Sequence, residues 1–324
     1  MKTVSLPKTD LVPSALCLGG VVLGSRLDEQ ASFALLDAFV DCGGNFVDTA
    51  KVYADWLPGE RSVSEKTIGR WLRRRGYRSR LVVSTKGAHP ELASMHKPRL
   101  GRKEIDRDLT QSLRNLQVEC IDLYWLHRDD PARPVEPIID ALQEQVAAGK
   151  IRYYGCSNWR AARIAAAQRY AQRRGWTGFV ANQPLWSLAS VAPQALPDPT
   201  MVAMDADLLN LHRASNLPAI PYSAQANGFF TRFAAHALDK MNPAQRTLYE
   251  TPENLRRAAR AQQLAAETGL TVTAVVLGYL RSQPFLTIPI VGCHTLAQLA
   301  DSCRVAATAL TAEQLAFLEG ASQA

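Results

Sequence analysis

The 324-residue chain contains no run of about 18 apolar residues, so no segment reads as a membrane-spanning helix. Its N-terminus, Met1-Lys-Thr-Val-Ser-Leu-Pro, lacks the apolar core of a secretory signal. The six cysteines, at 17, 42, 120, 156, 293 and 303, form no C-x-x-C pair. They read as reduced, largely buried small hydrophobes, which points to a cytoplasmic protein. The six histidines show no H-x-x-x-H or similar ligand spacing, so no metal site is expected. Gly19-Gly-Val-Val-Leu-Gly does not match the G-x-G-x-x-G that opens a dinucleotide-binding open sheet. With no Pro/Gly/Ser-rich linker and no low-complexity stretch, residues 1–324 read as one domain.

What is present is the composition of a soluble globular protein, 47% hydrophobic and 21% charged. A chain of this length can bury a large core without disulfides. The net charge of +7 would suit nucleic acid or a phosphorylated cofactor. The densest basic run, Arg70 to Arg80, closes an amphipathic helical pattern, where cations complement the helix dipole. It therefore reads as a solvated helix end, and no nucleic-acid partner is expected.

Apolar runs and helical periodicity alternate along the chain. After a short N-terminal hairpin to about Asp10, strands are expected at 15–20, 45–49, 80–85, 121–126, 151–156, 179–182, 219–222 and 286–291. Helices are expected at about 29–42, 62–74, 102–116, 135–148, 159–173, 204–214, 253–267 and 273–282, with a terminal one starting near Thr311. Eight strand–helix units in this length fit a closed (β/α)8 TIM barrel better than an open sheet. The stretch from the loop after 219–222 to about Tyr249 reads as a lid or a surface excursion.

In such a barrel, chemistry sits where strands end. The second strand delivers Asp48 and then Tyr53, the third ends in Lys86, and the fourth ends in His127. An apolar strand closing on a charge is costly unless the charge is paired, and Asp48 is the available partner for Lys86. A phenol has an ordinary pKa of about 10, and a cation beside Tyr53 would lower it and make it a useful acid. His127 is a candidate partner to hydrogen-bond and orient a substrate.

These pieces (Asn-Phe-Val-Asp-Thr-Ala…Tyr, Ser-Thr-Lys, Leu-Tyr-Trp-Leu-His, Gly-Cys-Ser-Asn, Asn-Gln and Ile-Pro-Tyr-Ser) resemble, in order and spacing, the aldo-keto reductase family from about residue 3 to 303. The resemblance implies a (β/α)8 barrel with an N-terminal β-hairpin and a C-terminal extra helix. It also implies an enzyme that transfers a hydride between a nicotinamide and a carbonyl or alcohol. The family's catalytic tetrad falls on Asp48, Tyr53, Lys86 and His127, with Tyr53 as general acid/base. The resemblance places Ser157, Asn158 and Gln183 on the nicotinamide carboxamide, Tyr222 on its ring, and Gly20 among the cofactor contacts. Ser223, Gln225 and Arg232 fall on the loop that covers the pyrophosphate. Gly292, His294, Gln298, Asp301 and Ser302 fall at the adenosine end.

The Lys and Arg that often hold a 2′-phosphate fall here on Gly292 and Gln298, as in a branch similar to the potassium-channel β subunits. NADP(H) is the cofactor that the resemblance implies, and the missing cations leave NAD(H) open. That branch also allows a second function, a cofactor-binding regulatory subunit with little turnover. On the substrate side, Trp56, Arg128, Asp129 and Trp186 are expected to face the pocket, with His89 and His96 within reach. Aromatic rings beside charged hydrogen-bonding groups suit a sugar or a sugar-derived carbonyl, with small aldehydes and ketones as the fallback. Alternatively, Arg128 pairs with Asp129 or Asp130 at the rim.

Overall fold

A computed structural model describes residues 1–305 and 308–320. Residues 306–307 and 321–324 of the expected single domain lie outside the described residues. Seven parallel strands form one curled sheet: β1 (Cys17–Gly19), β2 (Phe46–Asp48), β3 (Val82–Gly87), β4 (Ile121–Leu126), β5 (Ile151–Ser157), β6 (Phe179–Gln183) and β7 (Ile290–Val291). Their order is β6-β5-β4-β3-β2-β1-β7. The expected strand at 219–222 makes only isolated parallel bridges, from Ala219 to Asn182 and to Thr287 and from Tyr222 to Leu185. Hydrogen bonds nevertheless run along both of its sides. On the β6 side Asn182 N–H donates to Pro218 and Ile220 N–H to Asn182, while on the other side Ala219 N–H donates to Leu286 and Ile290 N–H to Pro221. Pro218, Pro221 and Pro289 have no N–H to give, which interrupts the ladder and shortens β7 from the expected 286–291.

The helices follow their strands: α1 (Glu29–Asp41), α2 (Val63–Arg75), α3 (Arg102–Leu116), α4 (Val135–Ala147), α5 (Ala161–Arg173) and α6 (Ala206–Ser215). After them come α7 (Phe229–Ala234), α8 (Pro243–Tyr249), α9 (Pro252–Thr268), α10 (Val272–Arg281), α11 (Leu296–Arg304) and α12 (Ala312–Glu319). The terminal helix starts where expected, because Thr311 and Gln314 form a reciprocal capping box. The stretch to Tyr249 holds α7 and α8, with Phe229, Phe230 and Tyr249 buried. It is thus packed structure, not a loose surface excursion. No single helix among the described residues is long and apolar enough to cross a membrane.

At the N-terminus, Thr3 and Ser14 form one antiparallel bridge, backed by Val4 to Pro13 and Leu6 to Leu11 hydrogen bonds. This is a hairpin-like pairing without two regular strands, and it extends past the expected Asp10. It seats Leu6 and Leu11 in an inner apolar cluster with Phe46, Val82, Leu123, Trp125 and Val180.

That cluster explains where chemistry can sit. Successive strand residues point to opposite faces. Phe46 faces inward, Val47 packs outward under the helices, and Asp48 faces inward again. Val82, Ser84 and Lys86 share the inward face of β3, while Leu123 and Trp125 lead to His127 beyond β4. The interior is therefore apolar at the strand starts and polar at the strand ends.

Candidate active site

The site is organised by Lys86, which lies at the end of β3 with 2% of its side chain exposed. Burying an ammonium without partners would be prohibitive. Here Nζ meets the Asp48 carboxylate, donates to the Thr49 carbonyl at 2.8 Å and donates to the Tyr53 hydroxyl at 3.1 Å. Asp48, 1% exposed, also accepts from Ser84 Oγ at 2.6 Å and from Gln183 Nε2 at 3.3 Å. Ser84 was legible from the strand period, since it precedes Lys86 by two residues and so shares its face.

Burial pulls the Lys86 ammonium pKa down, but Asp48 and Tyr53 outweigh it and the net shift is upward. The lysine is charged at neutral pH. For Tyr53 the largest influence is burial, which raises the phenol pKa. Lys86 pulls it back, Asp48 pushes it up again, and the net direction is up. The expectation that Lys86 leaves the phenol below its ordinary value is therefore corrected. Desolvation of the anion exceeds the attraction of a cation whose charge Asp48 already offsets.

His127 lies beside Tyr53, with ring centroids 6.1 Å apart. Burial first, then Arg128, His89 and Lys86, hold its pKa well below the ordinary histidine value, so the ring is neutral. Its Nδ1 is buried with no partner. His89 packs edge-on against His127 at 4.8 Å, and burial and Arg128 push its pKa down to about 4. His96 is exposed.

The residues expected on the carboxamide surround the same mouth. Gln183 gives its amide N–H to Asp48 and leaves a buried Oε1 unpartnered. Ser157 Oγ donates to the Gln183 carbonyl at 2.8 Å. Asn158, in the left-handed region at φ 61°, is used within the protein: its amide donates to the His127 carbonyl and Ser157 Oγ. Its Oδ1 accepts from the Val202 N–H and from the Tyr222 hydroxyl at 2.8 Å. Gly20 is buried, and a Cβ there would meet Ser64 Oγ at 3.0 Å and the Asp48 carbonyl at 3.1 Å.

The loop from Ser223 to Gly228 is conformationally unusual. Ser223, Ala226, Asn227 and Gly228 all have φ between 48° and 78°. Such backbone turns N–H groups into a concavity suited to an anion. Gln225 Nε2 reaches Ser302 Oγ at 3.5 Å, and Arg232 donates to the Asn227 carbonyl at 2.7 Å. Across from this loop, the His294 N–H donates to Gln298 Oε1 and Asp301 accepts from Thr271. Gly292 faces open space. An amide acceptor without a partner and an anion-suited backbone fit the carboxamide and the pyrophosphate of a nicotinamide dinucleotide.

The expected substrate wall assembles only in part. Trp56, 51% exposed, stands edge-on to Tyr53 at 6.3 Å. Arg128 is buried and held by Asp198 and Thr200 at 3.0 and 2.8 Å, not by its neighbours Asp129 or Asp130. No pattern in the Pro-rich 193–200 loop announced that clamp. Asp129 is paired bidentately with Arg163 on α5. Trp186 is corrected outright. It lies in the outer core, stacked on Phe285 at 5.9 Å and edge-on to Tyr279. A register shift between β5 and β6 and the proline at 184 break the alternation that would have shown its side.

Comparison with known proteins matches residues 15–323 to the aldo/keto reductase family. The chain is 30% identical to an uncharacterized oxidoreductase of Bacillus subtilis, over 98% of this chain and 95% of the relative. It is 29% identical to an NADP(+) aryl-alcohol dehydrogenase of Phanerodontia chrysosporium, over 96% and 83%. It is also 29% identical to an aldo-keto reductase of Aspergillus calidoustus, over 97% and 80%.

Proposed function

The chain belongs to the aldo/keto reductase family, and from that premise we propose that it is an NADP(H)-dependent carbonyl reductase with Tyr53 as general acid. The observation that carries the reading is the buried Lys86 ammonium bonded at once to Asp48, the Thr49 carbonyl and the Tyr53 hydroxyl. No structural need explains a phenol at that position. When bound, the nicotinamide supplies the hydride for the carbonyl carbon.

The chain's own groups do the rest. Neutral His127 hydrogen-bonds the carbonyl oxygen and aims it. The Tyr53 hydroxyl delivers its proton to that oxygen as negative charge develops there. Lys86 stabilises the tyrosinate that remains, and Asp48 keeps Lys86 charged and in place. The free Oε1 of Gln183 is suited to the carboxamide N–H, and the 223–228 loop to the pyrophosphate. The segment at 219–222 is read as the eighth stave of a single (β/α)8 barrel domain, since it hydrogen-bonds on both sides.

The substrate proposal shifts away from a sugar. Asp129 is paired with Arg163 and Trp186 lies in the outer core, while Arg128 stays beside His127 and Trp56 stays exposed beside Tyr53, so the aromatic part of the expected wall is the part left open to a substrate. Aromatic aldehydes are the first class to try, in keeping with the aryl-alcohol relative. The test is absorbance-monitored NADPH oxidation against a panel of aryl, aliphatic and sugar aldehydes. Saturable turnover of one class is the expected result. Tight NADPH binding with no turnover of any of them would overturn the enzymatic reading.

A further inference from the structure

Strand β4 ends at Leu126, and its ladders with β3 and β5 end there too, at Gly87 and Cys156. His127 is the first residue past the sheet. Its N–H is still held, by the Gly87 carbonyl at 3.0 Å. Its carbonyl has no backbone partner among the described residues, and a carbonyl at a buried position needs a donor. Two side chains supply one: Arg128 Nη1 donates at 3.0 Å and Asn158 Nδ2 at 3.1 Å.

Arg128 makes the longer connection. It is buried, so its charge must be matched. The match comes from the loop before α6, where Nη2 donates to Asp198 Oδ2 at 3.0 Å and Nε to Thr200 Oγ1 at 2.8 Å. Asp198 is tied to its own turn, its Oδ1 accepting the Thr200 N–H and hydroxyl at 2.8 and 2.7 Å. One guanidinium thus spans three acceptors, two on the 198–200 turn and one on the His127 peptide. A rigid planar fork suits that task better than the single point charge of a lysine.

The consequence falls on the imidazole. The His127 peptide sets where its Cα–Cβ bond points. The ring itself is packed edge-on against His89, with centroids 4.8 Å apart, and stands 6.1 Å from the Tyr53 ring. A tilt of that peptide therefore moves the ring relative to the Tyr53 hydroxyl, and an error of about 1 Å in such an arrangement can cost about 10²-fold in rate. An ion pair kept for stability alone would not need its third arm on the peptide of a reacting residue.

We propose that Arg128 is a positioning residue of the reaction: by joining the His127 carbonyl to the Asp198–Thr200 turn, it holds the His127 ring where the substrate oxygen must be met. The inference rests on the carbonyl-reductase reading and adds a residue that acts through His127. The test is a double-mutant cycle on the single-turnover rate of NADPH oxidation, with the aldehyde that the wild type reduces best. With His127 present, Arg128→Met should slow that rate by about 10- to 10²-fold at saturating aldehyde, while the NADPH Kd stays near wild type. Arg128→Lys should recover part of the loss, since an ammonium can still reach some of the three acceptors. In a His127→Gln background, Arg128→Met should cost about twofold or less, because the group it acts through is gone. Losses that multiply across the two positions, or an Arg128→Met rate near wild type, overturn the inference and leave the enzymatic reading standing. Where Arg128→Met does not fold, Asp198→Asn, which loosens the same clamp from its far end, takes its place in the cycle under the same criteria. A wild type that binds NADPH and reduces no aldehyde overturns the enzymatic reading itself, and the inference with it.

Discussion

Tyr53 is held in its acid form. Burial raises its pKa above the ordinary phenol value, and Lys86 only partly offsets that. A proton donor must be protonated, so carbonyl reduction should be level through neutral pH and fall only as pH rises through the raised phenol pKa. Alcohol oxidation needs the tyrosinate and should climb over that same alkaline range. Paired pH–rate profiles for both directions check this; a reduction rate that falls between pH 6 and 8 would point to a different acid. Tyr53→Phe removes the proton and little volume. It should lower kcat by about 10²–10⁴-fold while NADPH fluorescence binding stays near wild type. Lys86→Met has a further consequence, because it leaves Asp48 buried beside no cation. It should destabilise by about 3–5 kcal/mol, read as a loss of melting temperature, in addition to lost turnover. The tetrad was legible because charged groups closing apolar strands need partners. The sign of the phenol shift was not, because it depends on how deeply the ring is buried, a quantity that only packing determines.

Elements were legible where the pattern is periodic and illegible where it is short. Helices α1 to α6 and α9, α10 and α12 lie within about two residues of expectation, most of them on an apolar stripe and α12 on its capping box. The six-residue α7 and the seven-residue α8 were not expected, because one or two turns give too few repeats to define a face, and the nine-residue α11 was not expected either. The segment 219–222 failed as a regular strand for a different reason, the prolines at 218 and 221. Element ends carry conformational strain of their own. Helix α3 closes on Gln117 in the left-handed region at φ 56°, an exposed position where a side chain costs about 1 kcal/mol that glycine avoids. Gln117→Gly should therefore stabilise the protein by up to about that amount, seen as a higher denaturant midpoint at unchanged slope. It should leave turnover untouched, since Gln117 follows the helix end remote from the Tyr53 loop. An unchanged or lower midpoint would show that the greater freedom of glycine in the unfolded chain cancels the relief.

For the whole molecule, the question is what a charge of +7 is for. In the Arg70–Arg80 run three arginines are paired within the fold, while Arg73, Arg74 and Arg80 are exposed with no carboxylate partner among the described residues. Arg70 pairs with Glu29, Arg75 with Asp37, and Arg78 with the buried Asp122. Other cations lie near the strand ends. Some of them line a cavity beside Lys86. Others lie near the start of α11, where burial first, then Arg26 and Arg232, push the His294 pKa below its ordinary value. That histidine is then neutral at pH 7 and a poor phosphate cation, but the two arginines that depress it are permanent cations. They can take the place of the Lys and Arg absent at Gly292 and Gln298. The expected outcome is that NADPH binds more tightly than NADH, by about tenfold at low salt. Because Arg26 is exposed, that advantage should shrink as ionic strength rises past the point where the screening length falls to about 8 Å, while NADH affinity changes less. Fluorescence titrations with both cofactors at low and high salt measure it. The double variant Arg26→Ala with Arg232→Ala should bring the two affinities together; equal affinities in the wild type would mean that these arginines do not reach the phosphate.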